Sequence, residues 1–327
     1  MKDKNIMFQD QRKFFLFKSS DLRYSHGHNL CYMSKSDSPK ALIGSGWLRV
    51  LVYIVSFILL ALLIAGILVV GFHKGDFSDS GLHSLVKGDN LWTLTLIFFI
   101  LAMAITYVFR RWVDRKSFIS LGFVLDNRWR EALAGSMLAI FIVSASTLLL
   151  KATGHLKWME IIFDPRTLFL SFGSIVLVAI GEELIFRGYI LNNLMASFSK
   201  WPALAISAIL FMIFHWTSLG FFSLANSLIL GLILGINYIY TRNLWFSICF
   251  HISWNFMIGP VLGFSGDESF QTLLQTELTG DEKITGGTNG LEGSVLLLTV
   301  SLLGLIALYL FLQKKINPVS QPVPGRI

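Results

Sequence analysis

The sequence predicts an all-α protein, a polytopic transmembrane bundle of about eight helices with both termini in the cytoplasm. Composition is the first observation: 54% of the 327 residues are hydrophobic and 14% charged, where a soluble domain carries about 25% charged residues. Mean hydropathy is +0.64. The second is a series of apolar runs at 47–72, 91–109, 131–150, 168–191, 201–219, 224–240, 244–263 and 294–312, near the ~20 helical residues that cross ~30 Å of hydrocarbon. The third is the distribution of Lys and Arg between alternate connections, which sets orientation because basic residues beside a span resist translocation.

Along the chain, residues 1–46 are polar and without helical periodicity, so they read as a mostly disordered cytoplasmic head. Met33, just before Ser34-Lys35-Ser36, offers an alternative start. The first run is too long for a signal-peptide core and follows that head, so it is expected to be an uncleaved anchor. The second run ends at Arg110 and Arg111, and Arg115, Lys116, Arg128 and Arg130 precede the third. The next four runs are joined by short links and form a core at 168–263, with Lys200 and Arg242 between them. The acidic connection 264–293, with Asp267, Glu268, Glu277, Asp281, Glu282 and Glu292, is expected to be ordered only in part. The eighth run closes a transmembrane domain at 47–312, and 313–327 is a cytoplasmic tail with Lys314, Lys315 and Arg326.

Basic residues therefore collect on the side of the termini, which is assigned to the cytoplasm. The formal charge of +7 is accounted for by anionic lipid headgroups, and no nucleic acid is called for. Cys31 and Cys249 do not make a disulfide framework. Trp47, Trp92, Trp112, Trp129, Trp201 and Trp245 fall near the ends of runs, where indoles form interfacial belts. Gly231 and Gly235 have the spacing that lets a neighbouring helix come close.

Six strongly polar residues remain inside the runs: Glu182, Glu183, Arg187, His215, His251 and Asn255. An ionisable group at mid-membrane costs at least ~2.5–3.5 kcal/mol, so it normally faces a protein interior and has a function. Glu183 and Arg187 stand four apart with the acid first, the better order for an ion pair. Glu182 points about 100° away. It has no partner on its own helix, and desolvation beside a second carboxylate is expected to raise its pKa. That suits proton transfer, with Glu183 and Arg187 in support. Phe211 with His215, and His251 with Asn255, are again four-residue spacings. Helix rise places these groups around one polar cavity, expected to open toward the cytoplasm. Each alone also fits an interhelical hydrogen bond; two adjacent acids exceed what pairing with one arginine requires.

Glu182-Glu183-x-x-x-Arg187, Phe211-x-x-x-His215 and His251-x-x-x-Asn255, in that order on successive runs, resemble the CPBP family of intramembrane proteases. That group includes CAAX prenyl endopeptidases and bacterial abortive-infection or bacteriocin-immunity proteins. The segment 120–129, SLGFVLDNRW, before the third run is similar to the family's lead-in. The resemblance implies that Glu182 and His215 activate the attacking water and that His251 and Asn255 form the oxyanion site. Zn2+ held by Glu182, His215 and His251 stays open beside metal-free, glutamate-dependent hydrolysis, since the spacing is not that of His-Glu-x-x-His.

The expected function is an intramembrane endopeptidase cleaving a peptide or membrane-protein substrate near the cytoplasmic face of a bacterial inner membrane. Two alternatives belong to other classes. A non-catalytic immunity or binding protein would keep the scaffold without needing Glu182, and a proton-coupled transporter would use buried Glu and His but tends to show repeat symmetry and broken helices. No internal repeat is visible. The sequence does not say whether the substrate is prenylated.

Overall fold

The computed structural model describes residues 40–73, 89–124, 128–216, 220–264 and 272–316. The expected head, apart from its last residues, and the tail beyond residue 316 lie outside the described residues. Eight long helices follow one another: α1 Gly46–His73, α2 Asp89–Val108, α3 Trp129–Ala152, α4 Pro165–Glu183, α5 Lys200–Phe214, α6 Phe221–Thr241, α7 Trp245–Phe256 and α8 Val295–Ile316. The all-α polytopic bundle is as the sequence predicts, each apolar run overlapping one of these helices. Among the described residues, six stretches are long and apolar enough to cross a membrane, while α5 is a shorter apolar helix.

α5 differs most from expectation, stopping at Phe214 where the apolar run continues to 219. His215 closes it, its amide shared between the Phe211 and Met212 carbonyls. Three helices continue through π-helical turns, Phe109–Val113 after α2, Leu184–Leu191 after α4 and Met257–Val261 after α7. Pro260 lies in the last of these, where a wider turn accommodates a residue that has no N–H to give the helical ladder.

The connections held one departure from the all-α reading. Leu156–Ile161 (β1) and Leu274–Leu278 (β2) pair antiparallel, with an irregularity between Trp158 and Glu160. The 264–293 connection also contains a helical turn at Glu282–Thr285 and a 3-10 segment at Gly287–Gly293. At the end of β1, Asp164 caps α4: its carboxylate accepts from the Arg166 amide at 3.0 Å and the Thr167 hydroxyl at 2.6 Å, and Pro165 fills the first helical position. The Thr167 hydrogen bonds hold the Asp164 carboxyl below the usual carboxylate range.

Packing runs α3 along α7, α5 along α6, α2 against α4, and α8 against both α6 and α3. Helix α1 leaves Leu51, Leu59, Leu62, Leu63 and Ile67 exposed, an outward apolar face suited to lipid. Gly231 makes the α5–α6 contact possible: a Cβ there would meet the Ala208 Cα at 3.0 Å. Trp47, Trp112, Trp129 and Trp201 are exposed near helix ends, where belt residues are expected.

The basic end of the bundle is tied by Asp114. This carboxylate is 3.2 Å from Arg49 Nη1 of α1 and 2.8 Å from Arg110 Nη1. Asn193 Nδ2 donates to it at 3.2 Å and the Tyr189 hydroxyl at 3.4 Å. Asp114, Arg49, Arg110 and Asn193 are all buried, so three helices meet at one anion. Breaking a buried pair strands a charge. Asp114→Asn, which leaves two arginines facing a neutral amide, is expected to cost about 3–5 kcal/mol, read as a lowered thermal unfolding midpoint in detergent.

Candidate active site

The ion pair anticipated on α4 is formed. Arg187 Nη1 lies 2.7 Å from Glu183 Oε1, with Glu183 at 0% and Arg187 at 1% exposure. Arg187 also donates from Nη2 to the Gly231 carbonyl of α6 at 3.3 Å, and its guanidinium lies 4.3 Å from the centre of the Phe211 ring, a cation–π contact. Phe211 thus has a role beyond spacing: it covers the arginine, and its carbonyl accepts from His215 Nδ1 at 2.9 Å.

Glu183 makes a third contact across to α7, where its Oε1 is 3.0 Å from His251 Nδ1. Arg187, Glu183 and His251 are therefore joined in a line through one carboxylate oxygen. Since a carbonyl and a carboxylate can only accept, both imidazoles donate from Nδ1, to Phe211 O and Glu183 Oε1. Their Nε2 atoms face Glu182 Oε2, at 3.7 Å for His215 and 3.9 Å for His251. Those separations exceed direct hydrogen bonds, and Glu182 Oε2 is buried without a protein partner.

Glu182, His215, His251 and Asn255 line one cavity of about 360 Å3. All four expected catalytic residues therefore line one space, while Glu183, Arg187 and Phe211 lie outside its lining. One expectation for the cavity changes. Its wall passes through Ser171 and Ser174 of α4, Ser223, Asn226 and Ser227 of α6, and Pro260, and reaches Thr272 and Glu292. These residues belong to the end of the bundle holding β1, β2 and the 272–294 connection, opposite the basic helix ends. The cavity therefore opens at the end opposite the basic helix ends, so a cytoplasmic opening and cytoplasmic basic ends do not hold together. Helix rise does not say which neighbouring side chains are small and polar enough to leave space.

In the sequence Glu292 reads as one more acid in a polar connection. In the structure its Oε1 accepts from Trp254 Nε1 at 3.1 Å, and its carbonyl accepts from Asn226 Nδ2 at 2.7 Å. Asn226 lies two residues inside the 224–240 run and reads as a helix-end residue. The wall serines carried too weak a polar signal to stand out.

For a metal, tetrahedral ligands at ~2.1 Å lie about 3.4 Å from one another. The Glu182 to histidine separations are longer, and among the described residues no three His, Cys, Asp or Glu side chains are arranged to hold a metal ion. The residues as placed do not fit the zinc set considered from the sequence.

The two acids should respond oppositely to neutralisation. Glu183→Gln leaves Arg187 buried without its counter-ion and is expected to cost about 3–5 kcal/mol. Glu182→Gln, at a buried oxygen with no protein partner among the described residues, strands no counter-ion and should lower the unfolding midpoint far less. Thermal unfolding of both variants in one detergent makes the comparison.

No curated protein matches the chain. Residues 164–257 match the family model described as Type II CAAX prenyl endopeptidase Rce1-like. That match spans α4 to α7 with all three motifs, and supports a CPBP family intramembrane protease.

Proposed function

We propose that the protein is an endopeptidase that hydrolyses a peptide bond within the cavity, with water activated by Glu182 and His215. The observation that carries this reading is the unpartnered Glu182 Oε2, facing two imidazole Nε2 atoms at 3.7 and 3.9 Å. A water oxygen can lie within reach of Glu182 Oε2 and His215 Nε2 together. Glu182 takes a proton from that water as its oxygen bonds to the scissile carbonyl carbon. The carbonyl oxygen becomes an alkoxide, and Asn255, whose amide donates at any pH, faces it. The alkoxide then re-forms the carbonyl, the C–N bond breaks, and the proton held on Glu182 passes to the leaving nitrogen. The products are one new carboxyl and one new amine.

His251 has a narrower choice than the sequence allowed. With Nδ1 donating to Glu183, its Nε2 can donate to an oxyanion only when the ring carries both protons. Glu183 and Arg187 act behind it as positioning residues, holding the ring plane and the Nδ1 proton.

The reaction requires no metal step in this reading. The host membrane is proposed to be a bacterial inner membrane, and the substrate a peptide or small membrane protein. No observation favours the transporter or the non-catalytic scaffold over this chemistry.

The test is a comparison of peptide termini in membranes producing the parent or Glu182→Gln, read by mass spectrometry. New termini should depend on Glu182, with a rate loss of about 100- to 10,000-fold on the substrate they identify. Undiminished cleavage by that variant would remove the mechanism. On the same substrate Asn255→Ala should lower kcat by about 100- to 1,000-fold. Activity should persist after dialysis against EDTA; its loss and return with Zn2+ would instead establish a metal enzyme.

A further inference from the structure

We propose that a phospholipid with an anionic headgroup binds where α5, α6 and α8 meet on the outer surface of the bundle, one acyl chain in an apolar groove and the phosphate at Lys200. The site shares no lining residue with the Glu182 cavity and does not depend on the hydrolase reading.

The groove measures about 480 Å3 and is walled by Leu204 and Ala205 of α5, Leu232 and Ile236 of α6, and Leu305 and Ile306 of α8. These side chains are all aliphatic, and Ala205 and Ile306 are exposed. Hydrocarbon suits such a wall. What distinguishes it is the end toward the basic side of the bundle. Trp201 and Tyr309 close the groove there, with ring centres 5.8 Å apart, and Tyr240 stands 6.3 Å from the same indole. Gln313 fixes Tyr240, donating from Nε2 to its hydroxyl at 2.6 Å.

Lys200 completes this end. Its Nζ lies 4.3 Å from the centre of the Tyr240 ring and 5.4 Å from that of Trp201, cation–π contacts that hold the ammonium beside the groove. An ammonium has three N–H donors, and the ring faces supply no oxygen to take them. Among the described residues the carboxylate pairs are made by Arg49, Arg110, Arg128, Arg187, His215 and His251. Lys200 is in none of them. The start of α5 adds to its field, because Ser199 makes no side-chain cap and bare amides at a helix N-terminus favour an anion. An apolar slot leading to an uncompensated cation at the level of interfacial aromatic residues matches the order of acyl chain and phosphate in a bilayer lipid. A choline headgroup also suits aromatic faces, but it brings a second cation against Lys200.

Native mass spectrometry of the full chain in detergent, with phosphatidylglycerol or phosphatidylcholine of identical acyl chains added, tests the site. The parent should retain phosphatidylglycerol about fivefold better, the effect of one cation near an anionic headgroup. Lys200→Gln should bring the two lipids level. Ala205→Phe, which fills the groove, should lower retention of both, whereas Leu60→Phe, in a hollow of similar size between α1 and α2, should leave both as in the parent. Equal retention of the two lipids by the parent overturns the headgroup assignment. Undiminished retention in Ala205→Phe, or an equal loss in Leu60→Phe, overturns the groove. Should Ala205→Phe fail to accumulate, Ile306→Trp reads the same groove from α8. A lipid-free dimer that Ala205→Phe dissociates would put a second copy of the chain there and overturn the proposal.

Discussion

The buried ion pair between Arg187 and Glu183 is the constraint on which the site depends. Moving either charge out of water costs several kcal/mol, recovered only when geometry is good and the remaining hydrogen-bonding capacity is filled. Here Arg187 has the carboxylate, the Gly231 carbonyl and the face of Phe211. Those three partners sit on α4, α6 and α5, so compensating one guanidinium locks three helices around it. Gly231 serves twice: its missing side chain lets α5 approach, and its carbonyl reaches the arginine. Because Glu183 is occupied by this pairing and by His251, Glu182, the first acid of the motif, is free of structural duty.

The helix irregularities fall where this polar chemistry is. The π turn after α4 begins at the residue following Glu183 and contains Arg187. The one after α7 begins two residues beyond Asn255, and the one after α2 leads directly into Asp114. A π turn shifts the phase of everything that follows it, and such turns are frequent at functional sites. In a bundle where polar residues are few and must meet across helices, this phase shift is a local means of aiming them without altering the apolar faces on either side.

The legible part of the protein was what lipid makes expensive. Glu182, Glu183, Arg187, His215, His251 and Asn255 stood out because each interrupts an apolar run, and four-residue spacing gave the internal Glu183–Arg187 contact and the shared faces of α5 and α7. Features whose cost is low in sequence terms were illegible. Asp114 sits just beyond a helix and resembles any loop charge, yet it joins Arg49 and Arg110 in a buried cluster. The β1–β2 pair joins segments more than a hundred residues apart and reads as connection on both sides. The early end of α5 at Phe214 defeats a hydropathy count because the residues after it are still largely apolar. The direction of the cavity depends on which side chains are small, and Ser171, Ser174, Ser223 and Ser227 are too common in membrane helices to be noticed singly.

Counting charge around Glu182 clarifies how the proposed reaction would move its proton. Arg187 is positive, and two ionised glutamates with two neutral imidazoles would leave the group one charge negative. A single additional proton makes it neutral, the state a poorly solvated interior favours. His215 and His251 have already committed Nδ1 protons to Phe211 O and Glu183, so the additional proton can reside on Glu182 or on an Nε2 facing it. Between Glu182 Oε2 and His251 Nε2 the gap is 3.9 Å, a separation one intervening oxygen can bridge. With that proton on His251, its Nε2 supplies the second donor beside Asn255 for an alkoxide, and Glu182 is free to take the proton of the attacking water that later passes to the leaving nitrogen. In the proposed reaction the Arg187–Glu183 pair would favour that placement, because Glu183 is already balanced by the guanidinium and does not compete for the proton.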